Sequence, residues 1–211
     1  TKHGCTNFAF LSANSLNSEE GNERYRAFLN AIKRCDLEFS SENEIEGKFV
    51  YEIAKYELKN KYKSKKDIKF DALVAANDAM AIAAMDYFAE IGIDVPEDVK
   101  VVGFDDSISS RLVHPRLSTI SQNVYGQGYR AAELANDILD GKTVEKNEIT
   151  ELRVIYRQSC GCVDKRNPDP ICLDSYGNQS IEKDVVTVKE NYADVIRDKV
   201  GIIVFMDIVK S

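Results

Sequence analysis

Three short polar stops in this chain of 211 residues carry groups able to hold a small ligand. The first is the Ser12 to Asn22 loop, with Arg24 just beyond it. The second is Asn77-Asp78, which ends the apolar run 70–76, and the third is Asp105-Asp106, which ends the run 101–104. Arg24 offers a planar fork of N–H donors, Asp105 offers acceptors, and Asn77 offers both. That set suits a polyol, whose hydroxyls each donate and accept. It does not suit hydrolysis or group transfer, because no nucleophile stands beside a base, and neither His3 nor His114 follows a strand-like run of this kind. Plainer readings exist for the same residues. Asp78 suits a helix N-cap and Asp106 a turn or cap acceptor. Arg24 could be a surface partner of Glu20 or Glu23. With Asp78 as the cap, Asn77 is left available.

The elements that would position these groups alternate along the chain. Phe8-Ala9-Phe10-Leu11 reads as a buried strand. Residues 20–34 carry Tyr25, Phe28, Leu29 and Ile32 at helical spacing. The polar stretch 36–47 holds a weak strand near Leu37-Glu38-Phe39. A helix is expected over 49–62 with a stripe through Ile53, Tyr56 and Leu58, closing in the Lys-rich stretch 59–69. A strand over 70–76, a helix over 79–91 ended by Gly92, and a strand over 100–104 follow. A connection through Pro115 leads to a helix over 125–139, closed by Gly141, and to a last strand over 153–156. This alternation predicts an α/β fold, a parallel open sheet with helices on both faces. Ligand crevices in such sheets lie outside the carboxyl ends of the strands, which is where the three polar stops fall. They face one crevice if their strands are neighbours. Residues 161–179, with Pro168, Pro170 and Gly177, read as a linker. Residues 180–211 read as an extension or the first element of a truncated unit, with a helix over 182–198 and an apolar run over 200–209.

Composition narrows the function further. Lys plus Arg number 28 and Asp plus Glu 35, for a net charge of −7. Hydrophobic residues make up 44% and charged residues 30%, which is a globular balance. An acidic chain is a poor phosphate-binding surface, so contact with DNA is expected only through a domain outside this chain. The strongly apolar run Val200 to Met206 is far short of the roughly 20 residues of a membrane span. No secretory signal is legible in Thr1-Lys2-His3-Gly4-Cys5, and a cytoplasmic location is expected. Five sparse cysteines (Cys5, Cys35, Cys160, Cys162 and Cys172) do not make a disulfide scaffold. Cys160-Gly161-Cys162 is a C-x-C pair with Cys172 and His114 as remote partners, tighter than the usual zinc spacing. Reduced thiols, no metal and no cofactor are expected. Gly126-Gln127-Gly128-Tyr129-Arg130-Ala131 matches G-x-G-x-x-A, but it falls inside a helical stretch rather than at a strand-to-helix turn. It reads as small residues for close helix packing.

Five segments in order carry a family resemblance. They are Gly4 with Phe8-Ala9-Phe10-Leu11-Ser12, Arg24-Tyr25-Arg26-Ala27-Phe28, the stretch 70–81 (FDALVAANDAMA), the stretch 95–106 (VPEDVKVVGFDD), and Leu117-Ser118-Thr119-Ile120-Ser121-Gln122. Together they resemble the effector-binding region of the lac-repressor and gal-repressor family of transcription regulators, which shares its fold with periplasmic sugar-binding proteins. The resemblance covers about residues 4–160. It implies that Arg24, Asn77 and Asp105 contact an effector, often a sugar, and that Gln122 lies on the crossing segments near the cleft. It also implies that Phe49 stacks on sugar. Cys5 and Ala27 depart from the family's usual His and Gly. The helix-turn-helix and first lobe that precede this region in the family are not in this chain, so the crevice lacks one wall.

These features predict an effector-binding domain over residues 1–160, mostly a second lobe, with the 123–141 helix packing on the first lobe. Its expected partners are a small effector, carbohydrate in class, and a second copy of itself in a homodimer. It is not expected to be an enzyme. The alternatives are a solute-binding protein of a transport system and a sensor module joined to a signalling enzyme.

Overall fold

The computed structural model describes residues 3–13, 18–145 and 152–162, and the backbone of Val185–Thr187. Four parallel strands form the main sheet: β1 (Phe8–Ser12), β2 (Glu44–Glu46), β3 (Ala72–Ala75) and β4 (Lys100–Val102), in the order β2-β1-β3-β4. The strands that precede the three polar stops are therefore consecutive neighbours. Every residue of β1 and β3 is buried, as in a parallel sheet covered on both faces. Phe8 and Phe10 meet Phe28 of α1 (Glu19–Arg34), the Phe10 and Phe28 rings stacking at 4.7 Å. Helices α2 (Tyr51–Lys61) and α3 (Asp78–Glu90) pack on each other and on the sheet, joined by the aromatic contacts Tyr62–Phe70 and Phe70–Phe88. Full burial of a side chain such as Phe28 stabilises by roughly 1.5–3 kcal/mol.

Helix α1 has conventional ends. The Ser18 hydroxyl accepts from the Gly21 N–H at 3.0 Å, Glu19 and Glu20 stand in the first turn, and Lys33 and Arg34 in the last. Its buried residues include Arg24, Ala27, Phe28, Ala31 and Ile32. Arg24 thus lies on the apolar stripe itself.

Several local expectations are corrected. The strand in the 36–47 region is Glu44–Glu46 rather than Leu37–Phe39. Leu37 and Phe39 instead pack as loop residues against the core. Helix α2 turns Ala54 and Leu58 inward and leaves Tyr56 exposed. A short helix, α4 (Ile108–Leu112), capped by Ser107, interrupts the connection after β4. Strand β5 (Thr119–Ser121) then pairs antiparallel with β6 (Arg153–Ile155), and single parallel bridges at Val102–Ser118 and Asp105–Ser121 tie this segment to the end of β4. Helix α5 (Val124–Leu139) has no buried residue, and no side chain lies within 4 Å of where a Gly128 Cβ would sit. Close packing against another element is therefore not seen at Gly128, while Gly126 leaves room for the Asn123 side chain that caps the helix. The expected 182–198 helix meets strand β7 (Val185–Thr187), which pairs antiparallel with β6. A Val-Val-Thr run favours strand. The rest of that helix, the 161–179 linker beyond residue 162 and Cys172 lie outside the described residues. Among the described residues, no helix is long and apolar enough to cross a membrane.

The cap of α3 is Asn77, not Asp78. Asn77 Oδ1 accepts from the Met80 N–H at 3.0 Å. Asp78, 1% exposed, turns inward, where its carboxylate accepts from the Ser107 N–H at 2.7 Å and the Thr119 hydroxyl at 2.5 Å. Gly103 makes room for it, since a Cβ there would sit 2.3 Å from Asp78 Oδ1. Burial pushes the Asp78 carboxyl up to about 6, against the pull of those two donors. A carboxyl whose folded value lies above its unfolded one contributes most below about pH 4, and loses that contribution as pH rises through 6. Asp78→Asn should therefore gain stability relative to the wild type as pH rises from 4 to 7, by up to about 3 kcal/mol. Urea unfolding across that range measures the difference, and a pH-independent gap would contradict the assignment.

Candidate ligand-binding site

Arg24 leaves the buried face of α1 and ends beneath the carboxyl edge of the sheet, only 8% exposed. One guanidinium nitrogen donates to the Ala76 carbonyl at the end of β3. The other pairs with Glu20 one turn back and with Asp105 Oδ1 at 3.4 Å. Its plane lies against Phe104, 4.0 Å from the ring centroid, and 5.4 Å from the ring of Phe49. Asp105 Oδ1 also accepts from Gln122 Nε2 at 2.6 Å. Asn77 Nδ2 donates to the Phe49 carbonyl at 3.1 Å.

All five residues singled out from the sequence therefore meet at one rim. Arg24, Asp105 and Gln122 form a direct chain of polar contacts. Phe49 joins it through its ring to Arg24 and through its backbone to Asn77. The surface-arginine reading of Arg24 holds only for its Glu20 contact, because the rest of the side chain is inside. One participant, Phe104, was not singled out from the sequence; it stacks on Arg24. Glu20, one of the two helical neighbours expected to pair with Arg24, shares its charge. The signal for Phe104 was its place directly before Asp105, where strand-end residues turn toward the crevice.

The backbone is strained here. Asp105 has φ of 114°, and Lys48 and Phe49 have φ of 53° and 61°. Such conformations cost a non-glycine residue on the order of 1–3 kcal/mol each and cluster at ligand sites. Burial pushes the Asp105 carboxyl up, with the Arg24 cation and the Gln122 amide pulling against it.

Asp106 turns away from the rim and has a different task. Its oxygens accept from Arg157 at 2.5 Å and Arg111 at 2.7 Å, and Arg157 also donates to the Leu117 carbonyl at 2.8 Å and the Ser110 hydroxyl at 3.0 Å. This buried ion pair locks the end of β6 to α4.

Comparison with known proteins agrees with the fold. Residues 1–160 match the model of the periplasmic binding protein-like domain. The chain belongs to that domain family. Its curated relatives include transcriptional repressors. The HTH-type transcriptional repressor PurR of Mannheimia succiniciproducens is 33% identical over 147 residues, 70% of this chain and 43% of that protein. The ribose operon repressor of Lactococcus lactis is 29% identical over 146 residues, 67% of this chain and 42% of that protein. Among solved structures, the transcriptional repressor ascG of Escherichia coli matches with a TM-score of 0.68 at 28% identity, covering 75% of this chain and 56% of that one. A CelR–cellobiose complex matches with a TM-score of 0.64 at 27% identity, covering 75% of this chain and 48% of that one. The chain therefore matches the effector-binding domain of LacI-family regulators, and it spans less than half the length of these two curated relatives.

The two neighbouring aspartates of this domain should separate in stability measurements. Asp106→Ala strands the buried Arg157 cation and should cost about 3–5 kcal/mol. Asp105→Ala removes a half-exposed partner and should cost about 1 kcal/mol or less. Chemical unfolding of the two variants measures both, and equal losses would contradict the division.

Proposed function

We propose that this domain senses a small neutral sugar in a cleft between two lobes and passes the resulting closure to the rest of a transcription regulator. The observation that carries the reading is the sharing of the Arg24 charge between Glu20 and Asp105. A guanidinium already flanked by two carboxylates has little field left for a phosphate or carboxylate ligand, but its group still offers directional donors and acceptors to hydroxyls. The Phe49 ring, half-buried at the same rim, supplies the apolar face on which a sugar ring stacks. Asn77 retains one amide hydrogen beyond its bond to Phe49 and one lone pair beyond its cap. A sugar ligand also agrees with the cellobiose held by CelR.

The second wall is assigned to a first lobe outside this chain. Helix α5 supports this, because Tyr125 is 82% and Leu139 85% exposed at its two ends and the helix buries no residue. An apolar helix of that kind needs a partner. Exposed Ile108 and Leu112, one turn apart on α4, support pairing with a second copy. The ligand acts by binding the closed state more tightly than the open one. Contact with DNA belongs to another domain of the protein, and the family relationship favours a cytoplasmic regulator rather than an exported receptor or an enzyme.

The test is calorimetry of the full-length protein against a panel of neutral mono- and disaccharides. One of them should bind, and Asp105→Ala should weaken it by about 1.5–3 kcal/mol, roughly 10- to 150-fold. Unchanged affinity would remove Asp105 from the site, and binding only of anionic ligands would overturn the proposal.

A further inference from the structure

The ligand rim occupies the carboxyl ends of β1, β3 and β4. A second cluster lies at the opposite edge of the same sheet. His3 precedes β1, and Cys160 and Cys162 follow β6. Gly161, between the cysteines, has φ of +84°, and a Cβ on it would lie 3.8 Å from Lys100 and Pro96, at the start of β4. His3 Nε2 and Cys162 Sγ are 3.2 Å apart, although 159 positions separate the residues in the chain. The ligand atoms of His3, Cys160 and Cys162 all lie within 4.8 Å of one another. Four-coordinate zinc, with Zn–S near 2.3 Å and Zn–N near 2.0–2.1 Å, sets its ligand atoms roughly 3.5–3.8 Å apart.

We propose that His3, Cys160 and Cys162 form a three-ligand site for a thiophilic cation, zinc(II), with the fourth position open to solvent. The fold holds the cysteine pair in place for this. The Ser159 hydroxyl donates to the Val101 carbonyl at 2.6 Å and accepts from the Ser118 N–H at 2.8 Å. The Ser159 N–H donates to the Arg116 carbonyl at 2.9 Å, and the Gly161 N–H to the Gln158 carbonyl at 2.9 Å. The left-handed glycine then turns the chain so that both sulfurs serve one side. Cys160 is buried, His3 half-buried and Cys162 exposed, so the cation sits at the protein edge with water on one face. His114, the histidine considered from the sequence, is not in the group. His3 is the third ligand, hidden by its distance along the chain.

The chemistry is consistent with the donor set. Two thiolates and a neutral imidazole select zinc over magnesium or calcium. Both S–H protons are released to solvent as two S–Zn bonds form, the imidazole binds through Nε2, and the charge of the cation is cancelled by the two sulfurs. The bound ion would clamp the segment before β1 to the segment after β6, at the far edge from the sugar rim, and it is independent of that rim's role.

The test is zinc(II) titration of the reduced full-length protein in competition with a chromophoric chelator, with cobalt(II) as the spectroscopic probe. The wild type should bind one zinc that Cys162→Ser and His3→Ala lose, and cobalt should show thiolate charge-transfer absorption. Each variant should fall in affinity by more than the roughly 10- to 100-fold that loss of an outer-shell partner costs. Cys162 and His3 lie outside the core, so circular dichroism should show both variants folded. The proposal is overturned if the reduced wild type binds no zinc beyond what the two variants bind. It is overturned equally if Cys160 and Cys162 close a disulfide in air while the reduced thiols ignore the metal.

Discussion

The buried cation of Arg24 organises the rim at the carboxyl edge of this domain. Arg24 sits on the apolar stripe of α1, a place where a charge survives only if its neighbours satisfy it. The Ala76 carbonyl, the Glu20 and Asp105 carboxylates and the faces of Phe104 and Phe49 do so. Those partners come from α1, the end of β3, the end of β4 and the turn into α2. Satisfying one guanidinium therefore fixes four chain segments relative to one another, and the rim they share is where the proposed ligand would exchange hydrogen bonds with them.

Adjacent residues with similar chemistry take different places, one at the rim and the next in the interior. Asn77 and Asp105 face the rim, while Asp78 and Asp106, each one residue further along, face inward. Asp78 is held by Ser107 and Thr119 beside Gly103, and Asp106 by Arg157 and Arg111. The inward pair anchors the turns from which the outward pair projects. Asp105 and Asp106 both have positive φ, so the turn after β4 is held in a conformation that non-glycine residues seldom adopt.

Much of this was legible before any coordinates. Apolar runs ended by polar stops placed β1, β3 and β4, and their parallel direction followed from the helices between them, while their order in the sheet left no mark in the sequence. Arg24, Asn77 and Asp105 followed from the strand-end rule. The stripe on α1 was read as Tyr25, Phe28, Leu29 and Ile32, which hid the fact that Arg24 lies in line with Phe28 and Ile32 and must be inside. The exchange of roles between Asn77 and Asp78 was hidden because both side chains can cap a helix, and only the space left by Gly103 decides between them. Strand β2 escaped because Ile45 is its only buried residue, too little for an alternating pattern. Partners distant in sequence, such as Phe104 with Arg24 or His3 with Cys162, leave no local mark.

The central claim is that the rim around Arg24 holds a neutral, hydroxyl-rich ligand. The most direct measurement is a crystal structure of the full-length protein with the sugar that stabilises it most against heat. The account predicts sugar hydroxyls within hydrogen-bond distance of Arg24 and Asp105, with the Phe49 ring against the sugar face. Sugar density elsewhere, with Arg24, Asp105 and Asn77 bonded only to one another, would contradict it.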